Sequence, residues 1–124
     1  MQLYDWDQIK SDYITPLYSR KVAHAGNVTV ARLEAKSGAA TRLHKHENEE
    51  VIVVLQGKWR FILPTGDVTL EANQMLKIPA GMEHAAEVLE DAVAIDVCSP
   101  ARTDWLNGDD RNFHYDPEQY LWAV

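Results

Sequence analysis

The sequence predicts an all-β domain, a sandwich or barrel of short strands. Three observations carry this expectation. Apolar and polar residues alternate with a period of two from about residue 19 to 99. The alternating stretches are rich in β-branched and aromatic side chains. Gly, Pro, Asn and Asp interrupt them at intervals of roughly 8–12 residues, the spacing of strands and tight turns.

Taken in order, Tyr4 to Tyr13 carries Trp6 without a clear period, so short strands, turns or single helical turns are expected there. Val28-Thr-Val-Ala-Arg-Leu33 alternates and places Val28 and Val30 on one face of a strand, which Ser37-Gly38 ends. Thr41 to His46 and Val51 to Gln56 follow as strands. Gly57 is expected to turn the chain by a short hairpin into Trp59-Arg-Phe-Ile-Leu63. Pro64-Thr-Gly-Asp67 is a turn signal. Val68 to Leu70, Met75 to Ile78, His84 to Leu89 and Ala92 to Cys98 continue the series. In the last of these, Val93, Ile95 and Val97 share one face, and Ala94, Asp96 and Cys98 the other. Ala101 to Val124 carries Trp105 and Trp122, again without a period. Aromatic residues at both ends are expected to cap the core or bury a contact between two copies, and a homodimer is the expected assembly. No linker or repeat divides residues 1–124, so one domain is expected, its barrel spanning about residues 20–100.

Composition narrows the function classes. Of 124 residues, 46% are hydrophobic and 25% charged, which places the chain among globular domains. Twelve Lys and Arg against 19 Asp and Glu give a net charge of −7. That surface repels phosphate backbones and anionic membranes, so neither nucleic acid nor a membrane is an expected partner. The longest aliphatic run, Val51 to Leu55, is far short of the roughly 20 residues of a spanning helix. The single cysteine, Cys98, excludes an intrachain disulfide, and Met1 to Asp7 lacks the basic start and apolar stretch of a signal peptide. A cytoplasmic location is the expectation.

The chemistry concentrates in three histidines and one glutamate. On a strand, His44 and His46 project from the same face while Leu43 and Lys45 point away, so two imidazoles reach one ion. Glu50, opening the next strand, adds a carboxylate, and Pro79 and Gly81 turn the chain so that His84 returns toward them. Imidazole with one carboxylate suits one divalent transition metal ion, Fe, Mn, Ni, Co or Zn alike. Four protein ligands leave one or two positions open for water or substrate.

Gly38, His44, His46, Glu50 and Gly57, followed by Pro79, Gly81 and His84, resemble in order and spacing the two motifs of the cupin family. Those motifs read Gly, five residues, His-x-His, three residues, Glu, six residues, Gly, and then Pro-x-Gly, two residues, His. Asn73 stands where the second motif usually opens with Gly, and Asn also tolerates positive φ. Val88 stands where that motif often ends in Asn. The resemblance implies a double-stranded β-helix, the cupin jelly-roll barrel, with His44, His46, Glu50 and His84 as metal ligands inside one mouth.

Asp96, Cys98, Ser99, Pro100 and Arg102 resemble a segment of the small cupins that linearise 4,5-unsaturated uronates in pectin degradation. There the strand after the second motif reads Asp-x-Phe-Ser-Pro-Pro-Arg, and its Asp and Arg act beside the metal. Cys98 replaces the Phe and Ala101 the second Pro. The resemblance implies that Asp96 moves protons and Arg102 grips the carboxylate of a small acidic substrate. Cys98 and Arg60 are expected in the pocket wall. Two other functions share this ligand set: an Fe(II)-dependent dioxygenase, and a cupin that binds a small ligand without turning it over. His24 and His114 are expected at the surface, and Met75 and Met82 as core or pocket wall.

Overall fold

In a computed structural model of the chain, residues 1–115 are described. Trp122 lies outside them. The strands are β1 (Asp12–Thr15), β2 (Tyr18–His24), β3 (Thr29–Ala35), β4 (Ala40–His44), β5 (Glu49–Leu63), β6 (Gly66–Leu70), β7 (Met75–Ile78), β8 (His84–Ser99) and β9 (His114–Tyr115). A helix, α1 (Thr103–Asn107), and a 3₁₀ turn (Arg111–Phe113) lie between β8 and β9. A second 3₁₀ turn, Trp6–Gln8, precedes β1.

Two long strands organise the barrel. The first half of β5 pairs with β7 and with the second half of β8, which in turn pairs with β3; β2 and β1 continue outward. The second half of β5 pairs with β6 and with the first half of β8, which pairs with β4 and through it with β9. The bends in β5 and β8 thus divide one antiparallel network into two facing halves. Their inward side chains, Ala31, Leu33, Ile52, Val54 and Ala94 from one half and Trp59, Phe61, Leu70, Ala86 and Val88 from the other, form a single core. This is the all-β jelly-roll barrel the motifs implied.

The hairpin expected at Gly57 does not form. Val51–Gln56 and Trp59–Leu63 are one strand, and His84–Leu89 and Ala92–Cys98 are likewise one. The burial pattern along β5 explains why. Its inward positions are even at Glu50, Ile52 and Val54 but odd at Trp59 and Phe61, so extra residues are taken up between Val54 and Trp59, where the register with β8 shifts. Gly57 sits in this irregularity at φ +84°, and a Cβ there would lie 2.2 Å from the Asp91 carbonyl oxygen in the bend of β8. Only glycine lets the two bends cross at this distance. Asn73 has φ +71°, the geometry expected of a residue replacing the motif's glycine.

Beyond β8, the chain returns over one end of the barrel as a strap, α1 to β9. Trp105 packs against the core between two guanidiniums, 4.2 Å from Arg20 and 4.7 Å from Arg102, so this terminal aromatic caps the barrel. Met75 is 65% exposed on the outer face rather than in the core, whereas Met82 packs against the core. No helix among the described residues is long and apolar enough to cross a membrane.

Candidate metal centre

His44 closes β4, His46 lies two residues on in the following loop, Glu50 is near the start of β5 and His84 opens β8. Gly81 N–H donates to the His46 carbonyl at 2.8 Å, which ties the loop to the turn that delivers His84. The ring centroids of His44 and His84 are 4.4 Å apart and those of His46 and His84 4.9 Å. One donor nitrogen from each ring lies within 4.8 Å of the others.

Their outer nitrogens fix the inner ones. Nδ1 of His44 lies 2.6 Å from the Arg42 carbonyl, that of His46 2.9 Å from the Asn48 carbonyl and that of His84 2.8 Å from the Met82 carbonyl. A carbonyl only accepts, so each Nδ1 carries a proton and each Nε2 is left to act as a ligand. Burial lowers His44, to about 4, and His84, favouring neutral rings. Glu50 Oε1 lies 3.1 Å from His46 Nε2 and 3.7 Å from His84 Nε2. Nitrogen lone pairs and a carboxylate oxygen converging in a buried site are satisfied by a cation among them, so the donor set fits the divalent ion the motifs implied.

Asp96 is 2% exposed and lies beside Glu50. Its Oδ1 has no partner among the described residues, and Oδ2 accepts from the Cys98 thiol at 3.7 Å. Burial and the Glu50 charge push the Asp96 carboxyl well above the usual range. Burial would raise Glu50 too, but the hydrogen bond from Asp96 holds it low, so the pair carries its proton on Asp96.

Arg102 is 3% exposed, and its Nε and Nη2 bind both oxygens of Asp104 at 2.8 and 2.6 Å, leaving Nη1 toward Cys98 at 3.7 Å. Its carboxylate-binding fork is thus half taken by the strap's own acid. The four histidine and glutamate positions, Asp96 and Arg102 all line one cavity of about 70 Å³, whose wall also includes Trp59, Phe61 and residues of the strap.

Two pocket expectations are corrected. Arg60 does not reach the cavity: it alternates with inward Trp59 and Phe61, so it points outward, where it pairs with Asp67 and Glu87. Cys98 shares the inward face with Asp96 but does not line the cavity, because its fully buried thiol is engaged by Asp96 and Arg102. His114, expected at the surface, is a further correction: its side chain is 13% exposed and lines the cavity. Arg20, Asp110 and Phe113, which stacks on His44 at 4.6 Å, gave no local signal, since their partners lie about 70 to 90 residues away in sequence.

A small jelly-roll barrel with three histidines and a glutamate gathered inside one end defines a class of barrel proteins suited to holding a metal ion. The cupin domain model matches residues 31–98, and the chain belongs to the cupin family. Among solved structures, KdgF from Halomonas sp. is similar, with 26% identity and a TM-score of 0.77 over 84% of this chain and 99% of that one. An RmlC-like cupin from Shewanella frigidimarina NCIMB 400 aligns with 21% identity and a TM-score of 0.78, over 85% of this chain and 96% of that one. Ectoine synthase from P. lautus, at 15% identity and a TM-score of 0.77 over 93% and 88% of the two chains, shares the fold. None of the curated proteins matches the chain.

Proposed function

We propose that this cupin is a metal-dependent, isomerase-like enzyme that opens the ring of a 4,5-unsaturated uronate or a closely related sugar acid. The observation that carries the reading is the buried Asp96, with one carboxyl oxygen that has no partner among the described residues, in one cavity with Arg102 and the His44, His46, Glu50 and His84 donor set. Similarity to KdgF along nearly all of that chain supports it.

The reaction needs no oxidant. The anomeric hydroxyl loses its proton and C1 becomes a carbonyl; the C1–O5 bond breaks and its electron pair passes to the enolate oxygen on C5; C4 then takes a proton and C5 becomes a ketone. A divalent ion held by His44, His46, Glu50 and His84 supplies Lewis-acid stabilisation of substrate oxygens. Asp96 carries protons to and from the substrate. Arg102, fixed by Asp104 along one edge, offers Nη1 to the substrate carboxylate.

The test is the loss of C4=C5 ultraviolet absorbance when protein loaded with Fe, Mn, Ni, Co or Zn meets 4,5-unsaturated galacturonate, against spontaneous opening. Acceleration that falls about 10²-fold or more in Asp96→Ala is the expected result. No acceleration with any of these ions overturns the reading and directs attention to oxygen uptake.

A further inference from the structure

The ring opening proposed above moves one proton off an oxygen and another onto a carbon, and the cavity holds a titratable pair besides Asp96. His114 opens β9, where pairing of its backbone with Thr41 of β4 fixes it in the cavity wall. Its ring stacks on Tyr18 at 4.6 Å, and its Nε2 lies 3.4 Å from Asp110 Oδ2. Asp110 is itself immobilised, 1% exposed and held by both terminal nitrogens of Arg20 at 2.6 and 3.1 Å. A histidine whose Nε2–H faces a fixed carboxylate keeps its lone pair on Nδ1.

We infer that His114, oriented by Asp110, is a second proton-transfer group of this cavity, the base that takes the anomeric proton while Asp96 serves C4. The inference rests on the ring-opening reading. His114 Nδ1 accepts the hydroxyl proton as the C1 carbonyl forms and the C1–O5 pair leaves; it returns that proton to solvent between turnovers, and Asp96 regains the one given to C4. Asp110 is a positioning residue, since it touches the imidazole and not the reacting atoms.

The charged and titratable groups around the ring are Asp110 on the strap, Tyr18 and Arg20 on β2, and Arg102 after β8. Burial and the two guanidiniums lower the imidazole against the pull of Asp110, so the base form prevails at neutral pH.

The experiment compares metal-loaded wild type, His114→Gln, His114→Ala and Asp110→Asn by ultraviolet assay across pH 4–9. His114→Gln is expected to lower kcat about 10²-fold with KM within threefold, and to remove from the kcat/KM profile an acidic limb that lies below the usual histidine range. Added imidazole is expected to restore part of the His114→Ala rate, which a purely structural role would not allow. His114→Gln within threefold of wild type in kcat, or folded His114→Ala without imidazole rescue, overturns the role of His114 and leaves the ring-opening reading standing. A wild type that does not accelerate ring opening overturns that reading, and the role with it.

Discussion

Replacing Asp110 by Asn leaves the Arg20 guanidinium without its counter-charge in a site where both side chains are 1% exposed. The Arg20 Nε already lacks a partner among the described residues, so the variant would hold an uncompensated buried cation. Breaking a buried pair from one side costs about 3–5 kcal/mol. The cost is capped by the free energy of releasing the strap, because a detached strap would let water reach Arg20. At about 2.1 cal/mol/K per residue, the chain's 124 residues give an unfolding entropy near 0.26 kcal/mol/K, so a 3–4 kcal/mol loss lowers Tm by roughly 11–15 °C. Urea and thermal unfolding followed by circular dichroism measure it, and Arg20→Met/Asp110→Leu is expected to recover most of the loss. The sign with pH follows from the same pair. The guanidinium and His114 outweigh burial and hold the Asp110 carboxyl below the usual range, so its contribution is complete above an unfolded value near 3.9 and declines as pH falls below it. An Asp110→Asn variant within 1 kcal/mol of wild type at pH 7 would refute the reasoning.

Gly57→Ala is expected to cost more than about 2 kcal/mol, since positive φ and a 2.2 Å approach to the Asp91 carbonyl act together; an unchanged urea midpoint would contradict the crossing of the two bends. A divalent ion at about 100 times its Kd is expected to add about 2.7 kcal/mol of stability, near 10 °C in Tm at the slope above, and His84→Ala to lose that gain. No shift with any of the five ions would count against the donor set. The strap supplies Trp105, Asp110, Phe113 and His114 to the cavity wall, and substrate binding there is expected to order it. Hydrogen exchange of residues 103–115 is expected to be faster than in β3 and β8 and to slow with saturating substrate; equal protection of strap and core would refute it.

How far the sequence foretold the molecule depends on the range of each signal. His44, His46, Glu50 and His84 were legible because their spacing and the Pro79 to Gly81 turn are local facts, and the inward face of Asp96 and Cys98 follows from strand alternation. The continuity of β5 and β8 was not. Gly57 reads as a hairpin glycine in both cases, and only its crossing with Asp91, 34 residues on, shows that it serves a bend. Arg60 was half legible, since alternation says it opposes Trp59 but not which of them faces in. His114 looks like part of an acidic tail until Asp110 is seen paired with Arg20 across the barrel.

The pairing of β5 with β8 has a consequence for synthesis. Val51 to Leu55 is made long before its partner, residues 93–99, which completes the sheet beside it. From Leu55 to Ser99 is 44 residues, roughly 2–9 s of elongation at about 5–20 residues per second. Throughout that interval one edge of an aliphatic strand has no mate, the other being covered once β7 emerges, and an open edge is a liability for any nascent chain. The last of the cavity wall, Asp110 paired with Arg20, is made later still, after both long strands and all four candidate ligands.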